Sequence, residues 1–313
     1  MLYVVKALVG DTLRIAFRAS REYHVRIVER PGVGLSPAEL GRLKDDCQTV
    51  VRACLAGESL EYGLFAEGSD AWSRSVITLV TRIADSQPVA FNAMPQLEVI
   101  RGGEREVVLH LGLVMVDPAE RSGGLSWILY GLTCFALFLR QGLRPLWVSS
   151  VTQVPAVVGM VAETFSDVFP AQSGTAQSFT HRHLAHQIMR RHRHAFGVGD
   201  DAGFDPDRHV ITDAYTGGSD NLRKSFDVAT KHRHDAYNAF CARELDYGRG
   251  DDVLQIGTLD LAAGQRFLMR SVPRAVLPQL MVQAAILLAG AVLAPLIQWL
   301  DPTRPFGRLR PLP

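Results

Sequence analysis

The chain of 313 residues carries 33 Lys and Arg against 32 Asp and Glu, a formal net charge of +1, with 47% hydrophobic and 21% charged residues. That near-neutral balance gives no electrostatic argument for nucleic acid, and the apolar fraction can fill the core of one large domain or two small ones. Cys47, Cys54, Cys134 and Cys241 form no C-x-x-C and lie mainly in apolar helical patterns, as buried free thiols of a reducing compartment do. Lys6, Asp11 and Arg14 interrupt the N-terminal apolar stretch, so a signal peptide is not expected and a cytoplasmic location is. There are no internal repeats and no low-complexity tracts.

Residues 36–55 have helical periodicity, with Leu40, Leu43, Cys47, Val50, Val51 and Cys54 on one face and Ser36-Pro37 as a start signal. Residues 75–83 and 88–94 read as two strands of a hairpin joined by the polar turn 84–87. Extended stretches follow at 96–101 and 106–116. The second breaks at Asp117-Pro118 and runs into Arg121-Ser122-Gly123-Gly124-Leu125-Ser126, after which a helix is expected over 127–140, stopped by Gly142. A strand at 145–151 and a helix at 155–165 ending before Phe169-Pro170 come next. Residues 208–214 and 252–259 look like further strands, and 219–247 reads as a largely helical insertion between them. The Gly217-Gly218-Ser219-Asp220-Asn221 turn supplies a helix cap at Ser219 or Asp220.

A tight glycine-containing loop between a strand and a helix N-terminus presents backbone N–H groups to an anion, and a pyrophosphate is its natural guest. R-x-x-G-x-S at Arg121–Ser126, preceded by V-x-V-D-P, resembles the acyl-CoA-binding motif of the GCN5-related N-acetyltransferase (GNAT) superfamily. Arg121 and Gly124 match its first and fourth positions, and Ser126 replaces its last small residue. The order of elements over 36–170 is similar to the GNAT core. The resemblance implies an α/β (α+β) fold with a mixed, mostly antiparallel sheet flanked by helices, here with a basic helical insertion at 178–250. It places the acyltransferase domain at 1–270, followed by an apolar segment at 275–300 and a basic, Pro-rich tail at 301–313.

The resemblance also implies acyl-CoA, or an acyl carrier protein thioester, as cosubstrate and an amine as acceptor, with no metal. Backbone N–H groups of Leu113, Val114, Met115 and Val116 would polarise the thioester carbonyl, and Arg121, Ser122, Gly123, Gly124, Leu125 and Ser126 would hold the pyrophosphate. Acyl transfer to an amine needs a base for the amine, a polarised carbonyl and a proton for the leaving thiolate. His110, a polar residue inside an apolar strand with an ordinary pKa near 6.5, is the candidate base, with Glu106 and Glu163 as second choices. The family tyrosine expected on the helix after the fifth strand is missing from 155–165, so Ser149, Ser150, Tyr215 or Tyr237 stands as substitute acid, or the thiolate leaves unassisted. No G-x-S-x-G is present, and Cys134 lies within an apolar helix, so covalent catalysis has little support.

Two apolar features point towards lipid. The helix over 127–139 is apolar all round and needs cover on its second face from lipid, a long acyl chain or another segment of the chain. Residues 275–300 contain no charge over a length that suffices to span a bilayer, although Pro278, Pro295 and three glutamines also suit a bent, shallow insertion or a buried helix. Residues 181–194 hold His181, His183, His186, His192 and His194 among four arginines and no acid. A metal site is discounted there, because the arginines repel a cation. A basic face for lipid headgroups, CoA or carrier-protein phosphates, or a solvated helix, is expected. Together these features suggest an N-acyltransferase at the cytoplasmic face of a membrane, with a long-chain donor and an amphipathic amine such as a sphingoid base as acceptor. That activity is similar to the work of bacterial ceramide synthases. A non-catalytic acyl-thioester-binding module and a soluble acetyltransferase remain the alternatives.

Overall fold

The computed structural model describes residues 12–55, 60, 62–66, 68–125, 127–172, 175–272 and 274. Strands β1 (Arg14–Arg18) and β2 (Tyr23–Glu29) open the chain ahead of helix α1 (Pro37–Cys54). A capping box starts α1: the Ser36 hydroxyl accepts the Glu39 N–H, and the Glu39 carboxylate accepts the Ser36 N–H at 3.0 Å. β3 (Ser75–Arg82) and β4 (Pro88–Arg101) form the expected hairpin, but β4 continues through 96–101 as one strand. The strand expected over 106–116 is broken into β5 (Glu104–His110) and β6 (Val114–Val116). Helix α2 (Thr133–Arg140), entered through a wider-wound turn at Trp127–Leu132, leads to β7 (Leu146–Thr152), α3 (Pro155–Thr164) and β8 (Ser166–Phe169). Helix α4 (Phe179–His192), the hairpin β9 (Gly203–Asp205) and β10 (Val210–Thr212), α5 (Asp235–Glu244), β11 (Asp252–Leu259) and α6 (Leu261–Arg266) complete the order.

The span 219–247 is less helical than its sequence suggests, being helical at Asp220–Leu222 and in α5. Asn238 accounts for part of the difference. Its side chain accepts the His232 N–H at 2.8 Å and donates to the His232 carbonyl at 2.9 Å, which holds the preceding segment as a loop.

Among the described residues the strands form one 11-stranded sheet in the order β1-β2-β3-β4-β5-β7-β11-β10-β9, with β6 paired to β4 and β8 to β11. Every pairing is antiparallel except β5 with β7. The fold is therefore mixed α/β, with a mostly antiparallel sheet between helices, as expected. Side chains of a strand alternate between faces, so two layers of core form. Leu109, Val148 and Ala90 pack under α2, while Phe91, Ala93 and Met115 pack under α1. Val108, Leu254 and Ile256 pack under α4.

The second face of the apolar helix is covered by the chain itself. Phe267, Ala263 and Val272 join the same core as Leu129 and Phe138, and the Phe267 and Phe135 rings lie 6.0 Å apart. Gly131 admits this contact, since a Cβ there would meet the Phe267 ring at 1.9 Å. Neither lipid nor an acyl chain is needed over that part of the helix. Among the described residues no helix is long and apolar enough to cross a membrane. The segments 275–300 and 301–313 lie outside the described residues.

A buried carboxylate ties the sheet to α2. Glu29, 8% exposed, accepts the Leu13 N–H at 2.8 Å and the Gln96 amide at 2.9 Å, and forms an ion pair with Arg140.

Candidate functional site

The parallel ladder between β5 and β7 pairs Val108–His110 with Trp147–Ser149. It ends where the Leu111 N–H donates to the Ser149 carbonyl at 2.6 Å. Beyond that point Leu111-Gly112-Leu113 forms a bulge, and β6 pairs with β4 on its other side. Strand alternation then decides which amides face the gap. The Leu113 carbonyl accepts from Ala93 and the Asp117 N–H donates to Val89, so both groups face β4. The N–H groups of Val114 and Val116 therefore point to the opposite edge, between the parted strands. On that edge the Cys54 thiol donates to the Val116 carbonyl at 3.2 Å.

Gly112 makes the bulge possible. A Cβ there would lie 2.4 Å from the Ala93 carbonyl oxygen and 2.9 Å from Pro95 Cδ, and the carbonyl cannot rotate away without breaking the β4 ladder. Gly112→Ala is expected to destabilise the protein by about 1–3 kcal/mol. Urea titration checks the effect, and an unchanged midpoint would mean the bulge tolerates a side chain.

At the end of β6 the loop forms a tight helical turn, Pro118–Gly123, started by Asp117, whose carboxylate accepts the Ala119 N–H at 2.9 Å. The backbone of Arg121, Ser122 and Gly123 lies in that turn. Gly124 follows at φ 62°, a left-handed conformation suited to glycine, and nothing crowds it. Leu125 is buried, and its carbonyl accepts the first N–H groups of the next helix, from Ile128 and Leu129. Ser126 lies outside the described residues.

Two clefts lie on opposite faces of the sheet, and the second of them reaches the bulge. On the α2 face a groove of about 190 Å³ runs from Gly124 past Trp127, Tyr130 and Met160 to Phe267. It shares Met160, Thr164 and Phe267 with a neighbouring basic hollow of about 310 Å³, which adds Lys231, Arg233, Arg266 and Arg270. On the α1 and α4 face a cleft of about 380 Å³ reaches Leu113 and Ala93 at the bulge and is lined by Tyr62. Burial raises the phenols of both Tyr62 and Tyr130, and Tyr62 adds to the rise at Tyr130.

A buried acid completes this region. Asp252, at the head of β11, is 5% exposed, and burial pushes its carboxyl up to about 7 even though the Tyr215 hydroxyl donates to it at 3.0 Å. Burial and then Asp252 raise the Tyr215 phenol, and Asp252 also raises Tyr62. With the amide of Gln153 oriented by its Lys224 backbone contacts, its oxygen stands 2.7 Å from the Tyr215 hydroxyl.

The candidate residues are only partly brought together. His110 is the last residue of β5 before the bulge, 1% exposed, with Nδ1 3.0 Å from the Ser149 hydroxyl and its ring stacked on Phe196 at 4.8 Å. Burial lowers its pKa to about 3, so it is a neutral imidazole of low basicity. Ser150 is buried on the neighbouring position of β7. Glu106 stands apart, in a two-pronged pair with Arg101 at 2.6 and 2.7 Å near the far end of the hairpin. Glu163 belongs to the basic hollow, bound by Arg233 at 2.6 Å and flanked by His232 and His234. Tyr237 packs edge-on against His232.

The histidine-rich helix is largely structural. His181 caps α4 from within, accepting the Ser178 N–H at 3.1 Å, and His183 and His192 bond the Ile100 and Glu98 carbonyls at 2.8 Å. Arg193 anchors the following loop through the Gly199, Asp200 and Ala202 carbonyls. Among the described residues no group of three or more His, Cys, Asp or Glu side chains is arranged to hold a metal ion. None of the four cysteines forms a disulfide, and burial raises the thiols of Cys47, Cys134 and Cys241.

Sequence reasoning named Tyr215 but missed Asp252, Tyr62 and Tyr130. The available signal was an acid opening an otherwise apolar strand, DVLQIGTL, where a solvated turn residue would have been the ordinary reading. No protein-family model matches the chain. No curated protein matches it. One solved structure similar to part of it is described as a unique GCN5-related glucosamine N-acetyltransferase region in a fungal multi-domain GH3 β-N-acetylglucosaminidase. The match has 14% identity and a TM-score of 0.20, and it covers 44% of this chain and 13% of that one.

Proposed function

We propose that the protein is an N-acyltransferase that takes its acyl group from acyl-CoA. The carrying observation is that a cleft on the α1 and α4 face reaches the bulge where the parallel ladder of β5 and β7 ends, next to the outward amides of β6. A thioester entering from the α2 face meets the outward N–H groups of Val114 and Val116, which suit a developing oxyanion. The loop at Gly124 takes the pyrophosphate. The hollow containing Lys231, Arg233, Arg266 and Arg270 suits the remaining phosphate of CoA, a group that a carrier-protein thioester does not bring there.

The acceptor amine enters from the α1 and α4 face and attacks the thioester carbonyl carbon. Its proton passes to Asp252, directly or through Tyr215. A base near pKa 7 serves an amine at neutral pH better than His110, held at about 3. The C–S bond then breaks, and the thiolate takes a proton from Tyr62 or Tyr130, both protonated at neutral pH. His110 and Ser149 hold the bulge in register. The long-chain donor, the sphingoid-base acceptor and a position at a membrane rest on the uncharged residues 275–300. The charged side chains in the lining of the α1 and α4 cleft, Asp70, Arg74 and Arg191, favour a smaller, water-soluble amine.

The test is free-thiol release from acetyl-CoA and from long-chain acyl-CoA by the full chain, with and without a panel of amines. Amine-dependent release is expected, with a KM higher for dephospho-CoA thioesters than for the parent donors. Tight acyl-CoA binding without release across the panel would favour the non-catalytic binding module.

A further inference from the structure

The cleft on the α1 and α4 face has an uneven charge. Its lining includes the guanidiniums of Arg74 and Arg191 and the imidazoles of His192 and His194, against the single acid Asp70. Arg74 is already engaged by Asp70, and His194 faces Asp200 at 3.2 Å. Arg191 is exposed and makes no ion pair or hydrogen bond among the described residues. Arg74 and Arg191 also converge on His192. Burial and the two guanidiniums lower its pKa, against the opposing effect of its bond to the Glu98 carbonyl and of the Glu98 carboxylate. Deeper in, the Ser75 hydroxyl is 1% exposed, lines the cleft and has no hydrogen-bond partner. A buried hydroxyl left open in the same cleft as an unengaged guanidinium is an arrangement completed by an acceptor-rich ligand.

We propose that this cleft holds the acceptor amine by an anionic group, a phosphate or carboxylate, bound by Arg191 with Ser75 donating behind it. The proposal rests on the acyltransferase reading for the fate of the amine, but not for the binding of the anion. The amine end then faces the bulge at Leu113, with Tyr62 beside it. A cleft of about 380 Å³ lies near the lower end of the ~300–1,000 Å³ range of small-molecule sites. It suits an amino acid or a phosphorylated amine of similar size.

The experiment uses the full chain, acetyl-CoA and matched acceptors. These are O-phosphoethanolamine against ethanolamine for the phosphate, and β-alanine against propylamine for the carboxylate. Binding of inorganic phosphate is measured in parallel by calorimetry. At least one anionic member is expected to exceed its neutral counterpart in kcat/KM by about tenfold or more, the gain of one charge-assisted hydrogen bond. Arg191→Ala should bring that ratio close to unity and weaken phosphate binding by a similar factor, with Arg191→Lys intermediate. Equal rates for both members of both pairs, or phosphate binding indifferent to Arg191, would overturn the proposal while leaving the acyltransferase reading in place. Arg191-dependent phosphate binding with no turnover of any amine would uphold the anion site and remove the acyltransferase reading instead.

Discussion

Asp252→Asn is expected to lower kcat/KM for acyl transfer by about 10²–10⁴-fold, the range for loss of a positioned general base, without loss of the fold. The reason lies in the ionisation of the native side chain. Burial moves the Asp252 carboxyl from its ordinary 3.8 to about 7, so the folded protein holds a proton there that the unfolded chain has released. With more protons bound in the folded state, stability falls as pH rises from about 4 to about 7 and is level above that. Asparagine mimics the neutral form that the fold prefers, and the variant should lack this fall. The rate runs the other way. A base acts when deprotonated, so wild-type kcat/KM should climb through pH 7 and the variant should lose that limb. Rate profiles of both proteins between pH 5.5 and 9, with thermal denaturation at the same values, separate the chemical role from a structural one. An Asn variant with the wild-type profile would assign the base elsewhere.

Glu29→Ala should be the most damaging single change away from the site, costing about 3–5 kcal/mol. Glu29 holds three donors from separate parts of the chain: the Leu13 N–H, the Gln96 amide and Arg140. The Arg140 side chain is 12% exposed, so withdrawing the carboxylate leaves a guanidinium poorly solvated at the end of α2. Glu29→Gln keeps an oxygen for one donor and should cost about 1–3 kcal/mol. Urea denaturation of the three proteins orders them, and a loss below 1 kcal/mol in the Ala variant would show that neighbouring groups resolvate Arg140.

The parts of the fold legible in the sequence are those whose periodicity and punctuation agree. Residues 36–55 carried a helical stripe behind a Ser-Pro start, and α1 with its capping box lies there. Residues 252–259 were a short apolar run between polar turns, and they form β11. Strands β1 and β2 were harder to read because arginines and a histidine alternate with their apolar residues, RIAFR and YHVRIVE. The split of β5 from β6 was hidden for another reason. Nothing in the alternation of VVLHLGLVMV marks an offset, and only the contact of Gly112 with the Ala93 carbonyl reveals why glycine stands there. The loop at Arg121–Ser126 was conspicuous because glycines and a proline cluster. Asp252, Tyr62 and Tyr130 come from distant parts of the chain, and tertiary packing alone makes them neighbours.

Strand β11 lies between β7 and β10 in the interior of the sheet, although it is the last strand in sequence among the described residues. During synthesis β7 therefore emerges with one edge unpaired, and the β9–β10 hairpin has no sheet to join until residue 259 is free of the ribosome. Phe267, which packs over Gly131, emerges later still. A nascent chain halted before β11 presents an open strand edge and an uncovered apolar helix, surfaces that chaperones bind and that aggregate when left alone. The position of one strand thus makes the full domain a late product of translation, and it ties the maturation of Asp252's surroundings to the same moment.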